Sequence, residues 1–255
     1  MKSTQKREIL KIQGDDGNFQ SLQDEIAEER KLLLKVNGRE VLSLLCTPTM
    51  VRELVVGFLI TEGLIDGSFC AERMSIEYQS DEVIVDVPAE GNIRQGQKTI
   101  TSGCVGGLSL SEDAGKTKVN TSFKVKRSTL FKLFKVFQER SHLYHATGCV
   151  HSAAISDGRS ILVVAEDIGR HNAVDKAIGY CVLEGIGFDD KIILVSGRLS
   201  SEMVKKAAKA GIPVVASRTA PTTRAIDMAL SKGLTLVGFM RGKRFNVYSG
   251  YERII

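Results

Sequence analysis

No stretch of the 255-residue chain approaches the roughly 18 consecutive apolar residues of a membrane-spanning helix. The opening residues M-K-S-T-Q-K-R-E-I-L-K carry charges but no apolar core, so no secretory signal is expected. The five cysteines (Cys46, Cys70, Cys104, Cys149 and Cys181) are odd in number, scattered, and form no C-x-x-C pair. That excludes a disulfide framework and a zinc ribbon, and it points to a reducing cytoplasm. Neither G-x-x-x-x-G-K-[ST] nor a G-x-G-x-x-G after a strand is present, so an ordinary ATPase or dehydrogenase is not expected. A net charge of +5 suits an anionic small molecule as well as nucleic acid. There is, however, no lysine/arginine run of the kind a nucleic-acid-binding tail shows, and neither nucleic acid nor membrane is expected as a partner. What is present is ordinary for a globular protein: 43% hydrophobic and 25% charged residues.

The chain divides into two stretches, residues 1–122 and residues 123–255. In the first, R-K-L-L-L-K-V-N-G-R-E-V-L-S-L-L reads as a hairpin turning at Asn37-Gly38. A helix is predicted over residues 48–64, with Thr47 as its N-cap, Pro48 at its first position, and Leu54, Phe58 and Leu59 on one face. M-S-I-E-Y-Q-S-D-E-V-I-V-D-V reads as two more strands. Residues 88–122 are rich in Gly, Ser, Thr, Asn and Lys and show no period, and a loop of that length in a compact protein is usually functional or disordered. The second stretch alternates short apolar strands with amphipathic helices, beginning with a helix over residues 128–142 that carries Leu130, Leu133, Phe134 and Phe137. Such alternation predicts an α/β fold whose sheet is covered on both faces, beside a smaller mixed α+β unit. No internal repeat is visible.

Three strand-to-helix junctions of the second stretch share one chemistry. E-D-I-G-R-H-N supplies Asp167, Arg170, His171 and Asn172. V-S-G-R-L-S-S supplies Ser196, Gly197 and Arg198. A-S-R-T-A-P-T-T-R supplies Arg218, Thr219, Thr222 and Arg224. Helix N-termini favour anions, and ligands of open α/β sheets sit beyond the carboxyl ends of the strands. With the strands side by side and parallel, the junctions converge on one cleft lined with guanidiniums, whose planar fork suits phosphate oxygens. F-M-R-G-K-R-F adds Arg241, Lys243 and Arg244 around Gly242, a tight basic turn able to clamp a second phosphate. The expected ligand is phosphorylated and nucleotide-like. Serine, threonine and aspartate at helix starts are also ordinary caps, and a single arginine there is usually a solvated charge.

His171 stands at a helix start beside Arg170, where positive surroundings disfavour its protonation, so a neutral hydrogen-bonding ring and a packing cap both fit it. Asp167 is placed to orient His171 or to receive an arginine. His145, Cys149 and His151 resemble metal ligands only superficially, because their spacing matches no standard site; no metal held directly by the protein is expected. Cys46, Cys149 and Cys181 read as small buried hydrophobes. Cys104 differs from them. In T-S-G-C-V-G-G its neighbours Gly103, Gly106 and Gly107 free the backbone to approach a ligand closely. Such a thiol packs poorly but can deliver a sulfur atom between reaction partners.

Together T-S-G-C-V-G-G, E-D-I-G-R-H-N-A-V-D-K-A-I-G, S-G-R-L-S-S-E-M-V-K-K-A, A-S-R-T-A-P-T and G-F-M-R-G-K-R-F-N-V-Y-S-G resemble the formate dehydrogenase accessory sulfurtransferases, the FdhD family. The resemblance implies a C-terminal domain with a cytidine-deaminase-like α/β fold, and a homodimer. It implies sulfur received as a persulfide from a cysteine desulfurase. That sulfur would pass to the molybdenum (or tungsten) bis-guanine-dinucleotide cofactor before the cofactor enters formate dehydrogenase. By motif, Cys104 would hold the persulfide, and Phe239, Met240, Arg241, Gly242, Lys243 and Arg244 would match the cofactor-binding stretch. Many members carry C-G-V-C-G with two cysteines, whereas here Cys104 is followed by Val105, Gly106 and Gly107. A step that needs two loop thiols is therefore in question, while persulfide transfer itself needs only one thiolate.

Two further readings compete. A chaperone would bind and protect the same cofactor without sulfur chemistry. A zinc-dependent deaminase, suggested by the fold alone, needs H-x-E with a later P-C-x-x-C, and the sequence has neither.

Overall fold

A computed structural model describes residues 2–14, 18–66, 68–93, 99–100, 108–109 and 118–255. Its first strands, β1 (Thr4–Gln13) and β2 (Asn18–Ala27), pair antiparallel as a ribbon of their own. β3 (Arg30–Val36) and β4 (Arg39–Cys46) form the expected hairpin. Asn37 and Gly38 at its turn take φ of 51° and 75°, the left-handed pair that a two-residue turn matched to strand twist requires. Next come α1 (Val51–Glu62), β5 (Ile65–Asp66), β6 (Ser75–Tyr78), β7 (Glu82–Val87), β8 (Asn92–Ile93), β9 (Thr99–Ile100) and β10 (Leu108–Ser109). The main sheet of this half has the order β4-β3-β7-β6, with β3 and β7 parallel. Alternate residues of its strands, such as Leu32, Leu34, Val83 and Val85, pack under Leu54, Val55, Phe58 and Leu59 of α1.

The start of α1 departs from the sequence expectation. The helix begins at Val51, and its N-cap is Met50 in the left-handed region, with no side-chain cap. Thr47 does not cap it because all of its polar groups are engaged across the molecule. Its N–H donates to Asp167 Oδ2 (3.0 Å), its Oγ1 accepts from Ile168 N (3.3 Å), and its carbonyl accepts from Lys176 Nζ (3.0 Å). Three long-range bonds, two of them buried, outweigh a single cap, which is worth about 1 kcal/mol.

The second half runs α2 (Arg127–Glu139), α3 (His142–Thr147), β11 (His151–Ser156), β12 (Ile161–Asp167), α4 (Arg170–Leu183), β13 (Ile192–Val195), α5 (Ser201–Ala210), β14 (Val214–Ser217), α6 (Thr223–Lys232), β15 (Thr235–Arg241) and β16 (Arg244–Ser249). The α/β alternation appears as expected, in one six-stranded sheet of order β12-β11-β13-β14-β15-β16. The sheet is buried on both sides, and successive residues face opposite layers. Ile193, Val195 and Val215 meet Val174, Ile178, Met203 and Ala225 of α4, α5 and α6. Ile192, Leu194 and Val214 meet Leu130, Leu133, Phe134 and Phe137 of α2.

The two halves meet where α1 crosses α4 with no side chains between the backbones. A β-carbon on Gly57 would lie 1.9 Å from the Asp175 carbonyl oxygen, and one on Gly179 would lie 1.9 Å from that of Glu53. Beside this crossing, Lys206 of α5 reaches Glu62 of α1 (2.8 Å) and Asp175 of α4 (2.9 Å), while Thr61 donates to the same aspartate. Among the described residues, no helix is long and apolar enough to cross a membrane.

Candidate functional site: the carboxyl edge of the six-stranded sheet

β13, β14 and β15 run parallel, and β11 lies antiparallel between β12 and β13. The ends of β12, β13, β14 and β15 therefore share one edge of the sheet, and the start of β11 joins them there. The three junctions converge as expected, although β12 and β13 are not neighbours. The strand between them brings His151 to the same edge.

At the β12–α4 turn, Asp167 is fully buried. Its Oδ1 accepts from Gly169 N (2.8 Å) and Asn172 Nδ2 (2.9 Å), and its Oδ2 pairs with Lys176 Nζ (2.7 Å). Asn172 also donates to the Leu45 carbonyl (2.9 Å), and Lys176 donates to the carbonyls of Thr47 and Glu166. Among the described residues Asp167 thus bonds neither His171 nor an arginine. It anchors Lys176, a fully buried lysine that no sequence pattern marks. Asp167 and Asn172 are scaffold, and they hold the head of α4 against the end of β4.

What that scaffold presents is Arg170 and His171. Arg170 is 6% exposed. Its Cβ and Cδ lie 3.4 Å from where a β-carbon on Gly197 would sit, as does Nδ1 of His151. Arg170 and His151 thus flank Gly197 at van der Waals distance, which brings the β12–α4 and β13–α5 turns side by side. His171 Nε2 lies 3.1 Å from Glu202 Oε2, a carboxylate absent from the sequence expectation of purely positive surroundings. The hydrogen bond from His171 holds the Glu202 carboxyl below its usual range against the opposing effect of burial. Ser196 Oγ accepts from Ser152 N (2.9 Å) and lies 3.5 Å from His151 Nδ1. Arg198 is exposed.

Hydrogen bonds continue the edge from turn to turn. Ser217 Oγ donates to the Gly197 carbonyl (2.7 Å), and Thr219 N donates to Ser217 Oγ (3.0 Å). Leu199 N donates to the Ala220 carbonyl, Thr222 N to that of Leu199, and Phe239 N to that of Thr219 (3.1 Å). Thr222 Oγ1 is spent as the α6 cap, accepting from Ala225 N at 3.2 Å, which leaves Arg218, Thr219 and Arg224 as the polar groups this turn can offer a ligand. Phe239 has a φ of 53° and is 39% exposed, whereas Met240 points inward at 1% exposure and is core. Met240 thus does not face a ligand, unlike its neighbours in the expected stretch. Arg241, Gly242, Lys243 and Arg244 are all exposed, with Gly242 at a φ of 56°. Arg241 and Arg244 face each other across the strand pair. Like charges so placed repel until an anion joins them. Lys243 also lines a cavity of about 710 Å³ with Lys126, Arg127, Ser128 and Phe131.

Cys104 lies outside the described residues. Of the described cysteines, Cys46 and Cys181 are buried as expected, and burial pushes their thiols up to about 12 and about 11, which keeps them un-ionised and unreactive. Cys149 is exposed, not buried, because it follows the left-handed Gly148 that ends α3 and precedes the strand that begins at His151. His145 bonds the Gln138 carbonyl instead of joining His151. Among the described residues no three His, Cys, Asp or Glu side chains gather as metal ligands. Sequence reasoning missed His151 as a site residue. The signal lay in direction: a strand returning antiparallel between two outgoing ones begins where they end.

The fold and edge define an α/β protein with a phosphate-suited, arginine-rich rim, and the family model of the FdhD/NarQ family matches residues 27–255. The chain belongs to the FdhD/NarQ family. Its relatives include the "Sulfur carrier protein FdhD" of Listeria innocua, 39% identical over 248 residues, covering 93% of this chain and 94% of that protein. The protein of the same name from Bacillus subtilis is 37% identical over 246 residues, covering 94% of each. Among solved structures, one from Desulfotalea psychrophila described as a formate dehydrogenase accessory protein superposes with a TM-score of 0.80 at 26% identity, covering 100% of both chains.

Proposed function

We propose that this protein is a cytoplasmic sulfur carrier in formate dehydrogenase maturation, active as a homodimer. It takes sulfur from a cysteine desulfurase on Cys104 and passes it to a molybdenum or tungsten bis-guanine-dinucleotide cofactor held along the arginine-rich edge. The observation that carries this reading is the convergence of Arg170, Arg198, Arg218 and the Arg241–Arg244 pair on one edge of one sheet. A dinucleotide pyrophosphate offers oxygens to several guanidiniums at once and relieves the repulsion across the hairpin turn. Family membership supports the sulfur chemistry, and Cys104 supplies a thiol whose sequence neighbours, Gly103, Gly106 and Gly107, carry no side chain.

The loading step balances without an external oxidant. The Cys104 thiolate attacks the sulfane sulfur of the desulfurase persulfide, one S–S bond forms as another breaks, and the donor cysteine leaves as a thiolate. Delivery would break the S–S bond with its electron pair leaving on Cys104 as a thiolate, while the outer sulfur, two electrons short of sulfide, would take those two electrons from the reduced metal of the cofactor substrate. Incubation with a desulfurase and cysteine, followed by mass spectrometry, is expected to show one added sulfur atom on Cys104. No added sulfur there, with maturation surviving Cys104→Ala, would leave a cofactor chaperone instead.

A further inference from the structure

His151 stands in the middle of the edge, and neither its metal-like neighbours in sequence nor the arginine pattern accounts for it. It opens β11 opposite Asp167 in register. The β13–α5 turn covers one side of its ring, with Ser196 Oγ 3.5 Å from Nδ1. That hydroxyl already accepts a hydrogen bond from Ser152 N, so its own hydrogen is available to Nδ1. The neutral ring then carries its proton on Nε2, which has no hydrogen-bond partner among the described residues.

We propose that His151 is a ligand-contacting residue of this edge, and that it takes up a proton when a phosphate-bearing anion settles against it, Arg170 and Arg198. The ring is half-buried, and the charged groups around it come from every neighbouring element: Arg170 and His171 from α4, Arg198 from the β13–α5 turn, and Asp167 from β12. Glu202 of α5 reaches the cluster through His171. Burial first, then Arg170, His171 and Arg198, hold the free imidazole below its ordinary titration range, with Asp167 opposing. An anion in the cluster cancels the cationic field and offers an acceptor for Nε2–H, so both effects favour the protonated ring once ligand is bound. Binding is therefore expected to tighten as pH falls through that range, by at most about tenfold per pH unit for one coupled proton.

The inference rests on the reading of the edge as a dinucleotide site, and the test separates the two. The probe is P1,P2-diguanosine pyrophosphate, whose phosphates each keep one charge across the range from about pH 5.5 to about pH 7.5. Calorimetry in buffers of different ionisation enthalpy counts protons taken up per ligand bound. The wild-type protein is expected to take up as much as one proton, His151→Gln to lose that uptake and flatten the pH dependence, and His145→Gln, whose ring bonds the Gln138 carbonyl outside the cluster, to keep both. NMR of the wild-type protein reads the same event without substitution, as an upward move of the His151 titration on adding ligand. Equal uptake in His151→Gln, or an unmoved titration, overturns the inference. Inorganic sulfate, which does not titrate in this range, distinguishes the failures. Sulfate binding with His151-dependent uptake, but no binding of the dinucleotide, keeps the inference and removes the dinucleotide reading. If neither probe binds, both fall.

Discussion

The two ends of the edge handle charge in opposite ways. At the head of α4, Asp167 and Lys176 are sealed from water and every polar atom named there has a partner. At the β15–β16 hairpin, Arg241, Lys243 and Arg244 are exposed, and among the described residues none of them pairs with an acid. A buried pair costs desolvation and tolerates no missing partner, whereas exposed like charges cost little to the fold and are relieved by a ligand. The first end holds shape. The second attracts anions.

Substitution should separate these roles. The largest effect is expected at Lys176. Lys176→Met leaves the Asp167 carboxylate buried without its counter-ion and should remove about 3–5 kcal/mol of stability, read as a lower urea midpoint. The Lys176→Met, Asp167→Asn double variant should regain part of that loss. Stability unchanged in the single variant would mean that the α4 end is not organised by this pair. Arg241→Gln and Arg244→Gln should act the other way. Each is expected to weaken guanosine diphosphate binding by about 1.5–3 kcal/mol, the worth of a charge-assisted contact, without lowering the melting temperature. Unchanged affinity in both would move the ligand away from the hairpin.

The smallest effect is expected at Glu202, between the two extremes. Its carboxyl is held below the unfolded value of 4.5, chiefly by the hydrogen bond from His171. The stabilisation is present above that pH and is lost as pH falls further, through the folded-state titration. For a single, partly buried pair at the rim it amounts to about 1 kcal/mol. Thermal melts of wild type and Glu202→Gln should therefore converge on acidification below about pH 4.5. Parallel curves would show that the His171–Glu202 contact carries no linkage.

Periodicity explains what was legible in the sequence. Leu130, Leu133, Phe134 and Phe137 are buried on the face predicted for them, and the Asn37-Gly38 turn closes its hairpin. The arginine-bearing junctions share an edge because β12, β13, β14 and β15 run the same way, as the strand–helix alternation suggests, whereas the antiparallel β11 between β12 and β13 is not foreseen by it. The misreadings concern residues whose partners are remote. Thr47 has the chemistry of a cap, but its hydrogen-bond partner Asp167 lies 120 positions further along the chain. Lys176 looks like a surface lysine on a helix and is buried because α4 is covered on all sides. Met240 lies between exposed neighbours in a strand, where alternation turns it inward. Local pattern carries no record of such contacts, and the same is true of His151, whose importance comes from the strands on either side of it.

The bare crossing of Gly57 and Gly179 has a mechanical corollary. Helices separated by side chains can glide over one another as rotamers exchange, but two main chains in direct touch have no such lubricating layer. The halves of the molecule are thereby held as a single block, and this crossing offers no hinge between lobes.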